Sequence, residues 1–319
     1  MTNAATAELA IETKGLVKRF GKQTVVNGID LAVPRDSVFG FLGPNGSGKT
    51  TTIRMLLGLA SATDGDISVL GRVMPARVAD VLPRVGALVE GPGFYPFLSG
   101  ASNLRRLDSA DRHADPRTRK ARVGEALDRV GLTHAANKKV SAYSLGMKQR
   151  LGIANALLTP RDLIVLDEPT NGLDPQGTRE VRNLVRSLAA DGTTIFVSSH
   201  LLAEIEQMCT HAAVMNVGNL VAQGSLDELR SAGRTRVEVL TPDFGGARTV
   251  LSSLGLVVDT MAGAAGAPVT AALPEGVSPD TIVTALVGAD VRVFGFNVQQ
   301  ASLEDLFVAL TGEGFDVAQ

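Results

Sequence analysis

Two hydrophobic rhythms alternate along the chain. Thr24-Val25-Val26-Asn27-Gly28-Ile29-Asp30-Leu31 alternates in the manner of a strand ahead of a turn at Pro34, and Leu163 to Leu166 and Thr194 to Ser198 are short apolar runs that read as buried strands. From Pro175 the period becomes helical. Val181, Leu184, Val185 and Leu188 fall on one face, Pro175 suits a first helical turn, and Asp174 suits its N-cap. Strand and helix units in alternation predict an α/β fold with a mainly parallel sheet covered on both sides.

The strand signal stops between about residues 98 and 158, where Asn103-Leu104-Arg105-Arg106-Leu107 and Val123 to Val130 predict helices. Seven arginines and lysines between Arg105 and Arg122 are interleaved with acidic residues, a solvated mixed-charge face rather than a nucleic-acid stripe. After about residue 230 the pattern changes again. Arg236 to Leu240, Val257-Val258 and Val291 to Phe296 read as strands, Pro279 to Val287 and Ser302 to Leu310 as helices, and Ala262 to Pro268 as a loop. The expected organisation is one α/β domain over residues 1–230, with a helical subdomain at about 98–158, and a small α+β accessory domain over 231–319.

Composition narrows the setting. A chain of 319 residues can bury two modest cores, and 31 basic against 33 acidic side chains leave no global field to draw it to nucleic acid or anionic lipid. Cys209 is the single cysteine, which excludes an internal disulfide and fits a reducing compartment. No stretch reaches the ~18 apolar residues of a membrane span, and Met1 to Ala10 lacks a signal-peptide layout, so work at a membrane would require a separate spanning partner.

The chemistry lies at the ends of two apolar runs. Val38-Phe39-Gly40-Phe41-Leu42 leads into Gly43-Pro44-Asn45-Gly46-Ser47-Gly48-Lys49-Thr50-Thr51 and then a helical pattern. Glycines let backbone N–H groups close around a polyphosphate, the helix N-terminus adds positive dipole, Lys49 reaches the β/γ-phosphates, and the Thr50 hydroxyl suits Mg²⁺. These features imply a nucleoside triphosphate site. Downstream, Leu163 to Leu166 ends in Asp167-Glu168-Pro169, where Asp167 can hold Mg²⁺ and Glu168 can polarise a water against the γ-phosphate.

Further motifs follow in order: Ser144-Leu145-Gly146-Met147-Lys148-Gln149-Arg150, Gly172-Leu173-Asp174-Pro175 and Ser198-Ser199-His200. Over residues 9–230 the chain resembles the ATP-binding subunits of ABC transporters. The resemblance implies the ABC nucleotide-binding fold, ATP and Mg²⁺, adenine stacking on Phe20, Asp174 at a dimer interface, and His200 on the γ-phosphate. Taken alone, Phe20 also suits a core aromatic and His200 a polar group at a strand end. The resemblance further implies head-to-tail pairing, in which Ser144 and Gly146 of one copy complete the nucleotide site of the other.

Two departures point to a branch. Tyr143-Ser144-Leu145-Gly146-Met147 stands where the broad family has Leu-Ser-Gly-Gly-Gln, and Glu90 stands where a loop glutamine is usual, keeping a hard oxygen for Mg²⁺. Both are similar to bacitracin and lantibiotic exporters, and Ser302-Leu303-Glu304-Asp305-Leu306-Phe307 is similar to the ends of daunorubicin-type export ATPases. The implied protein is an ATPase on the cytoplasmic face of a membrane. It would bind a second copy or a homologue and separately encoded permease subunits, meet lipid only through them, and drive export of a hydrophobic or peptide-like compound. An ABC importer subunit and a non-transport ABC switch on ribosomes or nucleic acid are the alternative readings. The terminal domain has three: a regulator of turnover, an aid to subunit association, or a cap on the core.

Overall fold

The structure, a computed structural model, describes residues 8–89, 93–111, 114–231, 235–258, 268–274 and 276–299. Within them the chain divides into two compact units, 8–226 and 227–299.

In the first unit, β1 (Leu9–Phe20) is followed by β2 (Gln23–Ile29), β3 (Ala32–Pro34), β4 (Val38–Leu42), α1 (Lys49–Leu56), β5 (Asp64–Val69) and β6 (Arg72–Met74). β1 serves three antiparallel partners, β2, β3 and β5, with a register shift in each pairing; the shift against β5 spans Gly15, whose φ is +56°. The chain continues through α2 (Val78–Val81), β7 (Val85–Leu88), three helices α3 (Gly100–Ala110), α4 (Arg119–Arg129) and α5 (Leu145–Ala156), then β8 (Leu163–Asp167), α6 (Pro175–Ala190), β9 (Thr194–Ser199), α7 (Leu202–Met208), β10 (His211–Asn216) and β11 (Asn219–Ser225).

Six of these strands form a sheet in the order β11-β10-β4-β9-β8-β7, parallel except for β11 at one edge. The central strands β4, β8 and β9 are buried at every position because both faces are covered. In β8, Leu163 and Val165 join a core with Phe39, Phe41, Ile53 and Phe196, while Ile164 and Leu166 join another with Leu104, Leu127, Leu151, Val181 and Val185. Three phenylalanines lock β4 to β9: Phe196 stacks on Phe39 with ring centroids 5.8 Å apart and tilts against Phe41 at 5.3 Å. Asp174 caps α6 as its sequence position predicts, its Oδ1 accepting the Gly177 N–H at 2.7 Å.

The strand order determines where chemistry can occur. β4, β9 and β8 are neighbours running the same way, with Leu42 opposite Ser199 and Ser198 opposite Asp167. The loops leaving their carboxyl ends therefore emerge side by side, the usual place for a ligand on such a sheet.

The second unit holds α8 (Leu226–Ser231) from Asp227 onward, β12 (Arg236–Leu240), α9 (Phe244–Ser253), β13 (Val257–Val258), β14 (Val269–Ala272), α10 (Pro279–Gly288) and β15 (Gly295–Gln299). Its antiparallel sheet has the order β13-β14-β12-β15, and Val237, Val239, Leu251, Ala271, Ile282 and Leu286 fill its core. The strand expected at Val291 to Phe296 starts later, at Gly295. Val291 instead closes the end of α10, its N–H bonded to Leu286 O at 3.0 Å, and Asp243 holds the Arg292 N–H at 3.0 Å. The sequences read as a loop at 262–267 and a helix at 302–310 lie outside the described residues. Among the described residues, no helix is long and apolar enough to cross a membrane.

Candidate nucleotide site

The loop after β4 is shaped by glycines that cannot be replaced in place. Gly46 and Gly48 have φ of +81° and +102°, and a Cβ on Gly43 or Gly48 would stand 2.5 Å from Met215 O or 2.7 Å from Val25 O. Ser47 closes the turn, its N–H on Pro44 O at 3.2 Å and its carbonyl accepting the Gly218 N–H at 3.1 Å. α1 then begins with no side-chain cap, so its first N–H groups have no side-chain acceptor at the cap. Lys49 is buried at 5% exposure and donates to Gly43 O at 2.6 Å, while the buried Ser47 Oγ has no partner. Free backbone donors at a helix start, an unpartnered hydroxyl and a buried cation fit a polyphosphate. Asn45 and Gly46 form the exposed tip of the loop, and Thr50 and Thr51 lie in the first turn of α1.

Across from this loop, the end of β8 presents two carboxylates. Asp167 accepts the Thr50 hydroxyl at 2.9 Å and the Ser198 hydroxyl at 2.5 Å, and Ser198 Oγ in turn accepts the Glu168 N–H at 2.9 Å. Glu168 takes a left-handed backbone, φ +48°, which turns its side chain toward the loop. Its Oε1 is 3.3 Å from Lys49 Nζ and its Oε2 2.7 Å from His200 Nδ1. Phosphate loop, strand-end carboxylates and histidine thus form one cluster. The Thr50 hydroxyl and the Asp167 carboxylate supply hard oxygens of the kind Mg²⁺ takes. Among the described residues no three His, Cys, Asp or Glu side chains gather as a metal cage, so a cation here would draw its other ligands from phosphate and water.

Other sequence candidates lie elsewhere. Phe20 ends β1 with 55% of its surface exposed and the Lys18 ammonium 4.9 Å from its ring centre, so it is not a core aromatic. Ser144 caps α5, accepting the Met147 N–H at 3.2 Å, and Gly146 follows one residue into the helix. Both line a groove of about 400 Å³ with Leu145, Gly172 and Asp174, and no phosphate-loop residue lines it. Tyr143 is buried, its hydroxyl donating to Ala135 O at 2.7 Å, and burial pushes its phenol pKa up. Leu145 is half exposed over Gly172. Glu90 lies outside the described residues.

One group that the sequence did not single out is Glu204 in α7. It is buried and accepts the hydroxyls of Thr170 and Ser199 at 2.6 and 2.9 Å. Its only sequence signal is an acidic residue four positions after His200, on a helix whose neighbouring face is apolar.

Comparison with known proteins identifies the family. A family model described as "ABC transporter" matches residues 26–171. The "Uncharacterized ABC transporter ATP-binding protein YhcH" of Bacillus subtilis is 38% identical over 306 residues, covering 95% of this chain and 96% of that one. The chain belongs to the ABC-transporter ATP-binding family. Another relative is the bacitracin transport ATP-binding protein BcrA of Enterococcus faecalis, 43% identical over 77% of this chain and 79% of its own. The daunorubicin resistance ATP-binding protein DrrA3 of Streptomyces coeruleorubidus is 36% identical over 96% of this chain and 97% of its own. Among solved structures, the ATP-binding subunit of an ABC transporter superimposes with a TM-score of 0.62 at 28% identity, covering 70% of this chain and 92% of that one. As a member of this family the chain is an ATP-binding subunit with ATPase activity, and its α/β architecture with antiparallel strands and a helical segment is the family's fold.

Proposed function

We propose that two copies of this chain close head-to-tail around two ATP molecules and power export of a hydrophobic or peptide-like compound, such as an antibiotic, through separately encoded permease subunits. One observation supports this reading: Ser144 and Gly146 lie in a groove that none of the phosphate-loop residues lines. Head-to-tail pairing brings the groove of each copy to the phosphate loop of the other. Relatives named for bacitracin transport, daunorubicin resistance and Nod factor export favour an exporter over an importer or a ribosome-bound switch.

In this reading the chain's residues divide the work. Phe20 stacks on adenine, residues 43–51 hold the phosphates, and Lys49 leaves Glu168 to neutralise the β/γ-phosphates. Thr50, Asp167 and Glu90 would hold Mg²⁺ together with the phosphates, and the cation would supply positive charge beside the phosphate oxygens. Glu168 orients and polarises the water that attacks the γ-phosphorus as the bond to the bridging oxygen breaks, giving ADP and phosphate. His200, held by Glu168 at 2.7 Å, faces the same γ-phosphate. Ser144 and Gly146 of the other copy close the site, and Asp174 lies in the seam. Loss of the γ-phosphate removes these contacts and opens the pair, and the permease reads opening and closing as alternating access. The chain then sits on the cytoplasmic face, touching the membrane through the permease alone, with residues 231–319 as an accessory domain.

The test is co-expression with candidate permease subunits from the same genome in an antibiotic-sensitive host. Tolerance to a hydrophobic or peptide antibiotic should rise with the wild-type chain and not with Glu168→Gln. Unchanged tolerance across a panel of such compounds, with ATP-driven uptake instead, would overturn the export reading.

A further inference from the structure

Two segments meet at Glu204 of α7, the turn after β8 and the end of β9. Its Oε2 accepts the Thr170 hydroxyl at 2.6 Å and the Ser199 hydroxyl at 2.9 Å. Thr170 lies two residues beyond Glu168, in the turn where Asn171 N–H bonds Glu168 O at 3.1 Å. Ser199 immediately precedes His200, its hydroxyl accepts the Leu201 N–H at 3.0 Å, and its carbonyl accepts the Gly43 N–H of the phosphate loop at 3.3 Å. The three side chains are buried, Glu204 at 6% exposure, and among the described residues no cation pairs with the Glu204 carboxylate. A buried carboxylate without a counter-charge is unfavourable unless hydrogen bonds satisfy it, so two hydroxyls 29 residues apart in sequence are drawn to one oxygen.

We propose that Glu204 is a positioning residue for ATP hydrolysis: it ties the turn after Glu168 to the strand end before His200, and so sets the spacing between the carboxylate and the imidazole. The left-handed backbone of Glu168 makes that tie matter. A residue at φ +48° has no secondary structure on its far side to hold it, and the turn it starts is anchored by Thr170. Releasing Thr170 and Ser199 loosens the turn after Glu168, leaving the Ser198 hydroxyl on the Glu168 N–H and the His200 contact to hold the two ends, with the phosphate-binding donors in place. Loss of geometry then falls on the chemical step rather than on nucleotide binding. The proposal rests on the reading that Glu168 and His200 act in hydrolysis.

The experiment measures kcat and KM for Mg-ATP by phosphate release from the full chain, with equilibrium binding of a fluorescent ATP analogue and thermal unfolding measured on the same preparations. Glu204→Ala is expected to lower kcat about 10- to 100-fold with KM and analogue affinity within about threefold of wild type. Glu204→Gln keeps an acceptor oxygen for the same hydroxyls and is expected to restore kcat to within about threefold. Thr170→Val and Ser199→Ala each cut one tie and are expected to lower kcat by smaller factors, and Thr170→Val is expected to add little on top of Glu204→Ala. If Glu204→Ala does not fold, the two hydroxyl variants decide the matter, and wild-type kcat in both overturns the proposal. Wild-type kcat in folded Glu204→Ala, or a glutamine variant as slow as the alanine one, also overturns it. Glu168→Gln run alongside separates the two readings: if it keeps full turnover, the role of Glu168 falls. If it is inactive while Glu204→Ala turns over normally, only the role of Glu204 falls.

Discussion

Glu168 is clasped from two sides: its Oε2 lies 2.7 Å from His200 Nδ1 and its Oε1 3.3 Å from Lys49 Nζ. One carboxylate thus joins the carboxyl ends of β8 and β9 to the phosphate loop. Replacing it with an amide keeps its shape and removes its basicity. Glu168→Gln is expected to slow ATP hydrolysis by about 100- to 10,000-fold while ATP still binds, and dimers should accumulate with Mg-ATP on size-exclusion chromatography. Unchanged turnover would remove Glu168 from the water-activating role.

Lys49 supplies the positive charge at the centre of the loop, buried and held by the Gly43 carbonyl at 2.6 Å. Lys49→Ala is expected to weaken ATP binding about 10- to 100-fold in a filter or calorimetric assay, since backbone N–H groups alone do not match a triphosphate's charge. Wild-type affinity would contradict the role given to the loop.

Because the groove at Ser144 holds no phosphate-loop residue, two defective copies should rescue each other. Lys49→Ala and Ser144→Arg are each expected to be inactive alone. Mixed, they form pairs in which one site joins an intact loop to an intact Ser144. Random pairing then leaves about a quarter of the wild-type sites, measured as regained ATP-dependent dimerisation and phosphate release. A mixture as dead as its components would show that each copy builds its site alone.

In the second unit, Asp243 accepts the Arg292 side chain at 2.8 and 2.9 Å and its N–H at 3.0 Å. These hydrogen bonds pull the Asp243 pKa down from 3.8 to about 2. A carboxylate whose folded pKa lies below its unfolded one adds stability that is fully present above the unfolded value and fades as pH falls through the folded one. Hydrogen exchange of α9 amides should therefore be slower in wild type than in Asp243→Asn above about pH 5. The difference should shrink between about pH 4 and pH 2. A difference that persists undiminished at pH 2 would mean that the pair acts through shape and not charge.

What the sequence made legible was local. Gly43 to Thr50, Asp167-Glu168 and the N-cap at Asp174 each carry their geometry within a few residues, the strands before them are continuous apolar runs, and α6 follows the 3.6-residue period. β1 was harder to read because Gly15 and its register shifts break the alternation, and β14 and α9 are short or weakly patterned. Val291 was misread because an apolar residue that closes a helix and one that enters a strand look alike in sequence. Glu204 was missed for a different reason. Its meaning lies in Thr170 and Ser199, which come together only once β8 and β9 pair, and no spacing rule records that.

The glycine at position 48 leaves the gene little room. With φ +102° and the Val25 carbonyl 2.7 Å from where any Cβ would go, alanine fits no better than tryptophan. Every single-base missense change in that codon introduces a Cβ, so each one meets the same obstruction, and only synonymous variation at this triplet leaves the loop as it is.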